Sequence, residues 1–290
     1  MMRYRQFGPT DLKLSAIGLG AMPMSVTRNR PDEQDAIAVI HHAIDCGINL
    51  IDTADSYCLD ESEAGHNEKL IGKALALLPP HERQQITVAT KGGFVRPQGR
   101  WLTRCRPQHL RAACERSLAN LKTDTIAIYQ LHRIDPRIPL AESIGELLRL
   151  RNDGKIRHVA VSNFNVDQIE EAATIVPIVS VQNQYGPRQR SAEHDGVLAA
   201  SQQRGMAFIP WSPLGGMGAA AQIGMQHATI RAVASDHGVS PQQVALAWLM
   251  TKGPMVFPIP GASRRTTIED SAGAADLDLS SDELEQIDDG

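Results

Sequence analysis

Eight short apolar runs alternate along the chain with longer segments of helical periodicity, and this alternation limits the folds that are open to it. The predicted strands are residues 16–19, 49–52, 86–90, 126–131, 158–161, 178–182, 206–210 and 256–259. The predicted helices are residues 32–46, 68–77, 107–121, 140–152, 166–174, 192–204, 230–237, 241–251 and 266–274. Strands that alternate with helices imply a parallel sheet with right-handed crossovers.

Eight strand–helix units in a chain of 290 residues favour a closed (β/α)8 TIM barrel, an α/β fold that forms a single domain over residues 1–290. The rival is a doubly wound open sheet, which usually carries GxGxxG after its first strand. Here the first strand gives Gly18-Leu19-Gly20-Ala21-Met22-Pro23, which lacks the third glycine and is not followed at once by a helix. Residues 5–14 have turn chemistry at their centre, so an N-terminal β-hairpin that plugs the bottom of the barrel is expected.

Composition argues against several classes of function. The formal charge is −4 and the basic residues are dispersed, so a nucleic-acid partner is not expected. No run reaches bilayer length and residues 1–20 contain no signal-peptide core, so we expect a cytoplasmic protein with no membrane partner. The four cysteines and the dispersed histidines lack metal-ligand spacing, which predicts free thiols and no metal site. A monomer is expected because no long apolar surface stripe stands out.

Four polar residues lie at or just beyond the ends of neighbouring predicted strands. Asp52, Lys91 and His132 close the second, third and fourth strands, and Tyr57 lies five residues beyond Asp52. Each residue alone has an ordinary interpretation as a cap, a solvated charge or a packing residue. In a barrel the carboxyl ends of the strands converge on one face, so the four side chains are predicted to meet there.

The chemistry of these four side chains suits proton donation. A free tyrosine titrates near pH 10, and a neighbouring ammonium stabilises the phenolate, so Lys91 is expected to lower the pKa of Tyr57. Asp52 would keep Lys91 charged and in place, and His132 would hydrogen-bond a substrate oxygen. Such a set can deliver a proton to a carbonyl oxygen as negative charge develops on it.

Further motifs occur in a fixed order, and with them the chain resembles the aldo-keto reductase family from Gly18 to the last predicted helix. The motifs are Asp52-Thr53-Ala54-Asp55-Ser56-Tyr57, Ala89-Thr90-Lys91-Gly92-Gly93, Tyr129-Gln130-Leu131-His132-Arg133-Ile134-Asp135, Val161-Ser162-Asn163-Phe164, Val181-Gln182-Asn183-Gln184-Tyr185, Pro210-Trp211-Ser212-Pro213-Leu214-Gly215 and Ile259-Pro260-Gly261-Ala262-Ser263. The resemblance implies NADPH-dependent reduction of aldehyde or ketone carbonyls, with Tyr57 as general acid and Asp52, Lys91 and His132 as the other catalytic residues.

The resemblance also implies a cofactor cleft. At its nicotinamide and pyrophosphate end the implied residues, besides Asp52, are Gly20, Ala21, Met22, Ser162, Asn163, Gln182, Trp211, Ser212, Pro213, Leu214 and Gly215. Trp211 would stack on the nicotinamide ring, although a Trp that ends a strand is most often a core residue.

At the adenosine end the implied residues are Gly261, Ala262, Ser263, Arg264, Thr267, Asp270 and Ser271. Backbone N–H groups before a helix bind phosphate, and the planar guanidinium of Arg264 suits a 2′-phosphate. The alternative is that Arg264 and Arg265 are a solvated pair at a helix start. Asp270 and Ser271 stand where many family members have Glu-Asn.

Two departures from the family pattern leave the substrate open. Cys58 replaces the usual glycine after the tyrosine, and the loop of residues 59–66 is longer than in many members. Trp101 is a candidate wall for a flat or aromatic substrate, with a surface-packed Trp as the alternative. The second functional hypothesis is a cofactor-binding redox-sensing or regulatory module with little turnover, because a fold does not fix a function.

Overall fold

The computed structural model describes residues 1–289, and its centre is a seven-stranded parallel sheet. In chain order the strands of this sheet are Leu19–Gly20, Leu50–Asp52, Thr87–Gly92, Ile126–Leu131, Ile156–Ser162, Ile178–Gln184 and Ala207–Trp211. Each strand pairs in parallel with the next one along the chain. We call them barrel strands one to seven. The strands lie in the sheet in the same order as in the chain, because all of the crossover connections have the same handedness.

Residues 256–261 occupy the place of the eighth strand and close the barrel. The N–H of Phe257 donates to the carbonyl of Phe208 at 2.9 Å, and the N–H of Gly18 donates to the carbonyl of Pro258 at 2.9 Å. Only isolated bridges form here, Phe208 with Val256 and Gly20 with Gly261. The prediction of a regular strand over residues 256–259 is therefore wrong, because Pro258 and Pro260 have no N–H to donate to a continuous ladder.

The helices cover the outside of the sheet. Those of at least seven residues are Glu33–Asp45, His66–Ala76, Pro107–Leu121, Leu140–Asn152, Val166–Ile175, Val197–Gln203, Ala228–His237, Pro241–Thr251, Arg265–Gly273 and Ser281–Asp289. The short ones are Pro80–Arg83, Ser191–His194 and Ile223–Gln226. Ser240 caps its helix by accepting from the N–H of Gln243, with Pro241 at the first position, as predicted. Within residues 1–289 no helix has both the length and the apolar character to cross a membrane.

The single helix predicted over residues 192–204 is wrong, because the segment forms two helices, Ser191–His194 and Val197–Gln203. Gly196 lies between them with φ of 78°, in the left-handed region, and it interrupts the helical path. The carboxylate of Asp195 accepts from the N–H of Val197 at 3.1 Å, so it stabilises the start of the second helix.

The N-terminal hairpin closes the bottom of the barrel, as predicted. Its strands are Tyr4–Gln6 and Lys13–Ser15, which pair antiparallel. Phe7 is fully buried and its ring centroid lies 5.1 Å from that of Phe257. With Leu14 it packs on the apolar interior of the barrel, which comprises Leu50, Ala89, Ile128, Ala160, Val179, Ala207, Ile209, Phe257 and Ile259. The lower barrel is therefore a packed core, and access is left to the carboxyl ends of the strands.

Candidate active site

A buried polar layer lies above the apolar barrel core. Because side chains alternate along a strand, the residues two positions after inward-facing Leu50, Ala89 and Ile128 also point inward. These residues are polar, and they are joined by an inward-facing residue of barrel strand six. The layer comprises Asp52, Lys91, Gln130 and Gln182, all at most 3% exposed.

Lys91 is the centre of this layer. Its Nζ donates to Asp52 Oδ1 at 2.6 Å, to the backbone carbonyl of Thr53 at 2.8 Å and to the Tyr57 hydroxyl at 3.1 Å. An ammonium has three donors, and all three are used. The contact predicted from four scattered residues therefore exists for Asp52, Tyr57 and Lys91.

Asp52 is held from its other side by two amides. Its Oδ2 accepts from Gln182 Nε2 at 2.7 Å and from Gln130 Nε2 at 3.2 Å. With Lys91 on Oδ1, the carboxylate is bound on both oxygens. Sequence reasoning missed Gln130 as a site residue. Its position two residues after inward-facing Ile128 on the same strand was the signal, since side chains alternate along a strand.

His132 lies beside the phenol. Its ring centroid is 5.8 Å from that of Tyr57, with the rings at 76°, and its backbone N–H donates to the carbonyl of Gly92 at 2.9 Å. Burial, reinforced by the charges of Lys91 and Arg133, holds the pKa of His132 well below its ordinary value. The imidazole is therefore neutral at neutral pH, with one N–H to donate to an oxygen.

The pKa of Tyr57 differs from the expectation. Burial is the largest effect and raises the pKa of the phenol; Lys91 lowers it and Asp52 raises it, so the net shift is upward. The expected lowering by Lys91 is present, but it does not set the final pKa, because the phenol is only 6% exposed and a buried phenolate is poorly solvated. Burial acts to lower the pKa of Lys91, but Asp52 and Tyr57 outweigh it and raise that pKa, so the ammonium stays charged.

An aromatic wall borders the phenol on the solvent side. Trp101, which is 41% exposed, has its ring centroid 6.4 Å from that of Tyr57, and Phe94 lies 4.6 Å from His132. The guanidinium of Arg96 stacks 3.9 Å from the Trp101 ring centroid. Arg96 is itself fixed by bonds to the carbonyls of Gly99 and Leu59, and it too was missed in the sequence.

Cys58, the residue after Tyr57, is buried, and its Sγ contacts the carbonyl of Ser56 at 3.4 Å. Burial raises the pKa of this thiol to about 11. Such a thiol is unreactive at neutral pH. Within the part of the chain that the structure describes, no group of three His, Cys, Asp or Glu side chains could hold a metal ion.

The residues implied for the nicotinamide lie next to the polar layer. Ser162 donates to the carbonyl of Gln182 at 3.0 Å, and Asn163 Nδ2 donates to the carbonyl of His132 at 3.0 Å. The indole N–H of Trp211 donates to Asn163 Oδ1 at 3.2 Å, which fixes the Trp ring at the end of strand seven. Gln182 donates its amide N–H to Asp52, which joins this group to the polar layer.

Backbone conformation at this edge is unusual. Asn163 and Ser212 have φ of 61° and 49°, a region that costs a residue other than glycine roughly 1–3 kcal/mol and that recurs at helix ends and at functional sites. Ser212 opens the segment that contains Pro213, Leu214 and Gly215, and its carbonyl accepts from the N–H of Gly215 at 2.9 Å.

The first barrel strand completes this edge. Gly20 bridges to Gly261 across the barrel closure. The N–H of Ala21 donates to the backbone carbonyl of Asp52 at 2.9 Å, and Met22 begins a short 3-10 helix, Met22–Met24. The implied residues of strand one therefore adjoin strand two and the closing segment, residues 256–261, whereas strands five, six and seven adjoin one another.

The segment implied for the adenosine end leads into the helix Arg265–Gly273. Arg264 occupies the N-cap position, with no side-chain bond to the first-turn N–H groups. These amides, with the exposed side chains of Arg264 and Arg265, fit a phosphate group. Ala262 is buried, whereas Ser263 and Thr267 are partly exposed.

Asp270 and Ser271 are less available to a ligand than the sequence suggested. The carboxylate of Asp270 accepts from Ser240 at 2.8 Å and from Gln243 at 2.9 Å, and Ser271 is 3% exposed. Asp270 therefore joins two helices in this structure. A contact of either residue with an adenine stays a prediction.

Comparison with known proteins agrees with this geometry. Residues 16–289 match the model of the Aldo/keto reductase family. An uncharacterized oxidoreductase of Schizosaccharomyces pombe, C215.11c, is 36% identical over 282 residues, which are 96% of this chain and 87% of that protein. Probable aldo-keto reductase 1 of Glycine max is 31% identical over 309 residues, covering 97% of this chain and 87% of that protein.

A solved structure extends the likeness to the whole fold. The aldo-keto reductase from Klebsiella pneumoniae in complex with NADPH superposes with a TM-score of 0.82 at 29% identity, covering 100% of this chain and 95% of that one. The chain is therefore an oxidoreductase that belongs to the aldo/keto reductase family.

Proposed function

We propose that the protein reduces aldehyde or ketone carbonyls to alcohols with NADPH, and that Tyr57 is the general acid. The observation that carries this proposal is the position of Lys91 Nζ, which bridges the carboxylate of Asp52 and the hydroxyl of Tyr57 inside a buried layer. A phenol that donates its proton becomes a negatively charged phenolate, and a nearby cation stabilises that charge.

Each catalytic side chain has one task in this mechanism. The Tyr57 hydroxyl gives its proton to the carbonyl oxygen, and the neutral imidazole of His132 donates a hydrogen bond to the same oxygen. Lys91 stabilises the phenolate that results, and Asp52 keeps Lys91 charged. Because burial raises the pKa of Tyr57, the phenol is protonated at neutral pH, which is the state that a proton donor requires.

Bound nicotinamide would supply the hydride. Ser162, Asn163 and the amide oxygen of Gln182 are the groups that would hold its carboxamide, and Trp211 would flank its ring. Arg264, at the free start of the helix Arg265–Gly273, would bind the 2′-phosphate that distinguishes NADPH from NADH.

The general acid is tested by Tyr57→Phe. We expect kcat/KM for carbonyl reduction to fall about 10²–10⁴-fold, the range for a positioned acid, with the fold unchanged by circular dichroism. Tyr4→Phe, in the exposed hairpin, is the matched control and should leave turnover unchanged. Turnover near that of the unmodified protein in Tyr57→Phe would defeat the assignment.

The cofactor preference is tested by Arg264→Ala, with its exposed neighbour Arg265→Ala as control. A charge-assisted bond contributes about 1.5–3 kcal/mol, so the Kd for NADPH should rise about 10–100-fold while the Kd for NADH changes little. Equal rises for the two cofactors would contradict a role of Arg264 at the 2′-phosphate.

A further inference from the structure

A cavity of about 340 Å³ lies outside the polar layer. It is lined by Arg104, Arg106, Gln108, His109, Asp135, Arg137 and Ile138, from the segments that follow barrel strands three and four. The N–H of Arg104 donates to the carbonyl of Gly93 at 2.8 Å, one residue from the Phe94 ring that packs on His132. The cavity therefore adjoins the wall of the candidate active site.

The only acidic residue in the lining of this cavity, Asp135, is already paired with an arginine. Asp135 is 3% exposed, and its carboxylate accepts from Arg137 Nε at 2.8 Å and from Arg137 Nη2 at 2.9 Å. Arg137 Nη2 also donates to the carbonyl of Thr103 at 2.6 Å. This ion pair leaves no negative charge in the lining for the other two arginines.

Arg104 and Arg106 have no side-chain hydrogen bond or ion pair with any residue from 1 to 289. Two guanidinium groups thus line one cavity without a counter-ion, in a chain whose formal net charge is −4. The excess of positive charge here is local and does not follow from an overall basic composition.

The uncharged part of the lining also suits an anion. The Nε2 atom of His109 is buried and has no partner within the described residues. Burial, with the charges of Arg116 and Arg104, lowers the pKa of His109 to about 4, so its ring is neutral at pH 7 and adds no further charge to the lining. The helix Pro107–Leu121 begins in the lining, and its first turn has neither an acidic residue nor a side-chain cap.

Two exposed, unpaired guanidinium groups at an uncapped helix start match an oxyanion with two negative charges better than a carboxylate with one. The volume is at the lower end of the range for ligand pockets, about 300–1,000 Å³, which suits a small molecule. We infer that this cavity binds a phosphate dianion, either as the phosphate group of a small carbonyl substrate or as free phosphate. The substrate source rests on the function proposed above, whereas binding itself does not.

Binding is tested by calorimetric titration with inorganic phosphate, with sodium chloride at the same ionic strength as the reference for screening. The protein carries Arg264→Ala, so that the cofactor cleft contributes little. We expect saturable binding that weakens at least tenfold on Arg106→Gln and on Arg104→Gln. Arg100→Gln, an exposed arginine of the same loop outside the cavity, is the matched control and should bind as before.

The source of the phosphate is separated by kinetics with glyceraldehyde and glyceraldehyde 3-phosphate. If the substrate carries it, Arg106→Gln lowers kcat/KM at least tenfold for the phosphorylated aldehyde alone, and inorganic phosphate competes with that substrate. If free phosphate is the ligand, Arg106→Gln changes kcat/KM equally for both aldehydes but still weakens phosphate binding. Absence of saturable phosphate binding, or equal losses in Arg106→Gln and Arg100→Gln, would overturn the inference even if carbonyl reduction proceeds.

Discussion

The buried ion pair of Asp52 and Lys91 should be strongly coupled in its effect on stability. The two groups are 2.6 Å apart, and their side chains are 4% and 0% exposed. Removal of one partner from such a pair costs about 3–5 kcal/mol, because it leaves a buried charge uncompensated. We therefore expect Lys91→Met and Asp52→Asn each to lower the free energy of unfolding by about that amount.

The remaining partners decide which substitution costs more. In Asp52→Asn the ammonium of Lys91 keeps the carbonyl of Thr53 and the hydroxyl of Tyr57, so the loss should lie near the lower value. In Lys91→Met the carboxylate loses its only cation. The double variant leaves no unpaired charge, so its cost should fall short of the sum by about 2–3 kcal/mol.

An exposed pair of nearly the same length provides the control. Lys73 and Glu33 are 2.7 Å apart, but their side chains are 48% and 54% exposed. The same cycle of substitutions, to Met and to Gln, should give a coupling energy of at most about 1 kcal/mol, because water screens the charges. The difference between the two cycles isolates the effect of burial.

Urea unfolding at pH 7, followed by circular dichroism and by tryptophan fluorescence, measures both cycles. Free energies are taken where the two transitions coincide and the m-values agree, since this is the sign of a two-state transition. A coupling energy below about 0.5 kcal/mol for Asp52 and Lys91, or one equal to that of the exposed pair, would refute the reasoning.

Two further predictions concern residues around the polar layer. The pKa of buried Asp55 is raised well above its ordinary value by burial and by Glu68, so ionisation of this carboxyl in the folded protein opposes folding. Stability should therefore be lost as the pH rises above the unfolded-state pKa of about 3.9, and Asp55→Asn should raise the free energy of unfolding at pH 7 but not at pH 3, as urea titrations at both values would reveal. Trp101→Ala should lower kcat/KM about tenfold for aromatic ketones, because a stacked aromatic contact contributes about 0.5–1.5 kcal/mol beyond its buried area. A small aliphatic aldehyde serves as the control substrate, and a loss as large with that aldehyde would contradict a role of Trp101 as a wall for flat substrates.

The barrel follows from the sequence because its signal is repeated. A parallel strand must be followed by a crossover, so each apolar run with its helical segment repeats the same constraint. The errors occur where one residue decides locally. Gly196 ends a helix that the apolar pattern would continue, and Pro258 with Pro260 removes the donors of a regular last strand. The apolar pattern reports only the hydrophobicity of side chains, whereas the glycine acts through its backbone dihedral angle and the prolines through their missing N–H groups.

The polar layer was predicted in part for a related reason. Asp52, Lys91 and His132 end apolar strands, where a charged or polar residue stands out. Gln130 lies inside such a strand. An uncharged polar residue there is identified as a site residue only when the alternation of side chains shows that it faces inward. Arg96 could not be placed at all, because arginine is usually exposed and its burial depends on a loop that folds back to offer the carbonyls of Gly99 and Leu59.

The direction of the pKa shift of Tyr57 marks the limit of such reasoning. The sequence identifies the charges that lie near the phenol, and Lys91 does lower its pKa. The sequence does not show how far the fold shields the phenol from water. That desolvation changes the pKa of Tyr57 more than Lys91 does. Lys91 therefore does not bring the pKa of Tyr57 below its ordinary value. It offsets the cost that burial adds to the phenolate, so the same layer can keep the phenol protonated at rest and still accept the charge when the proton leaves.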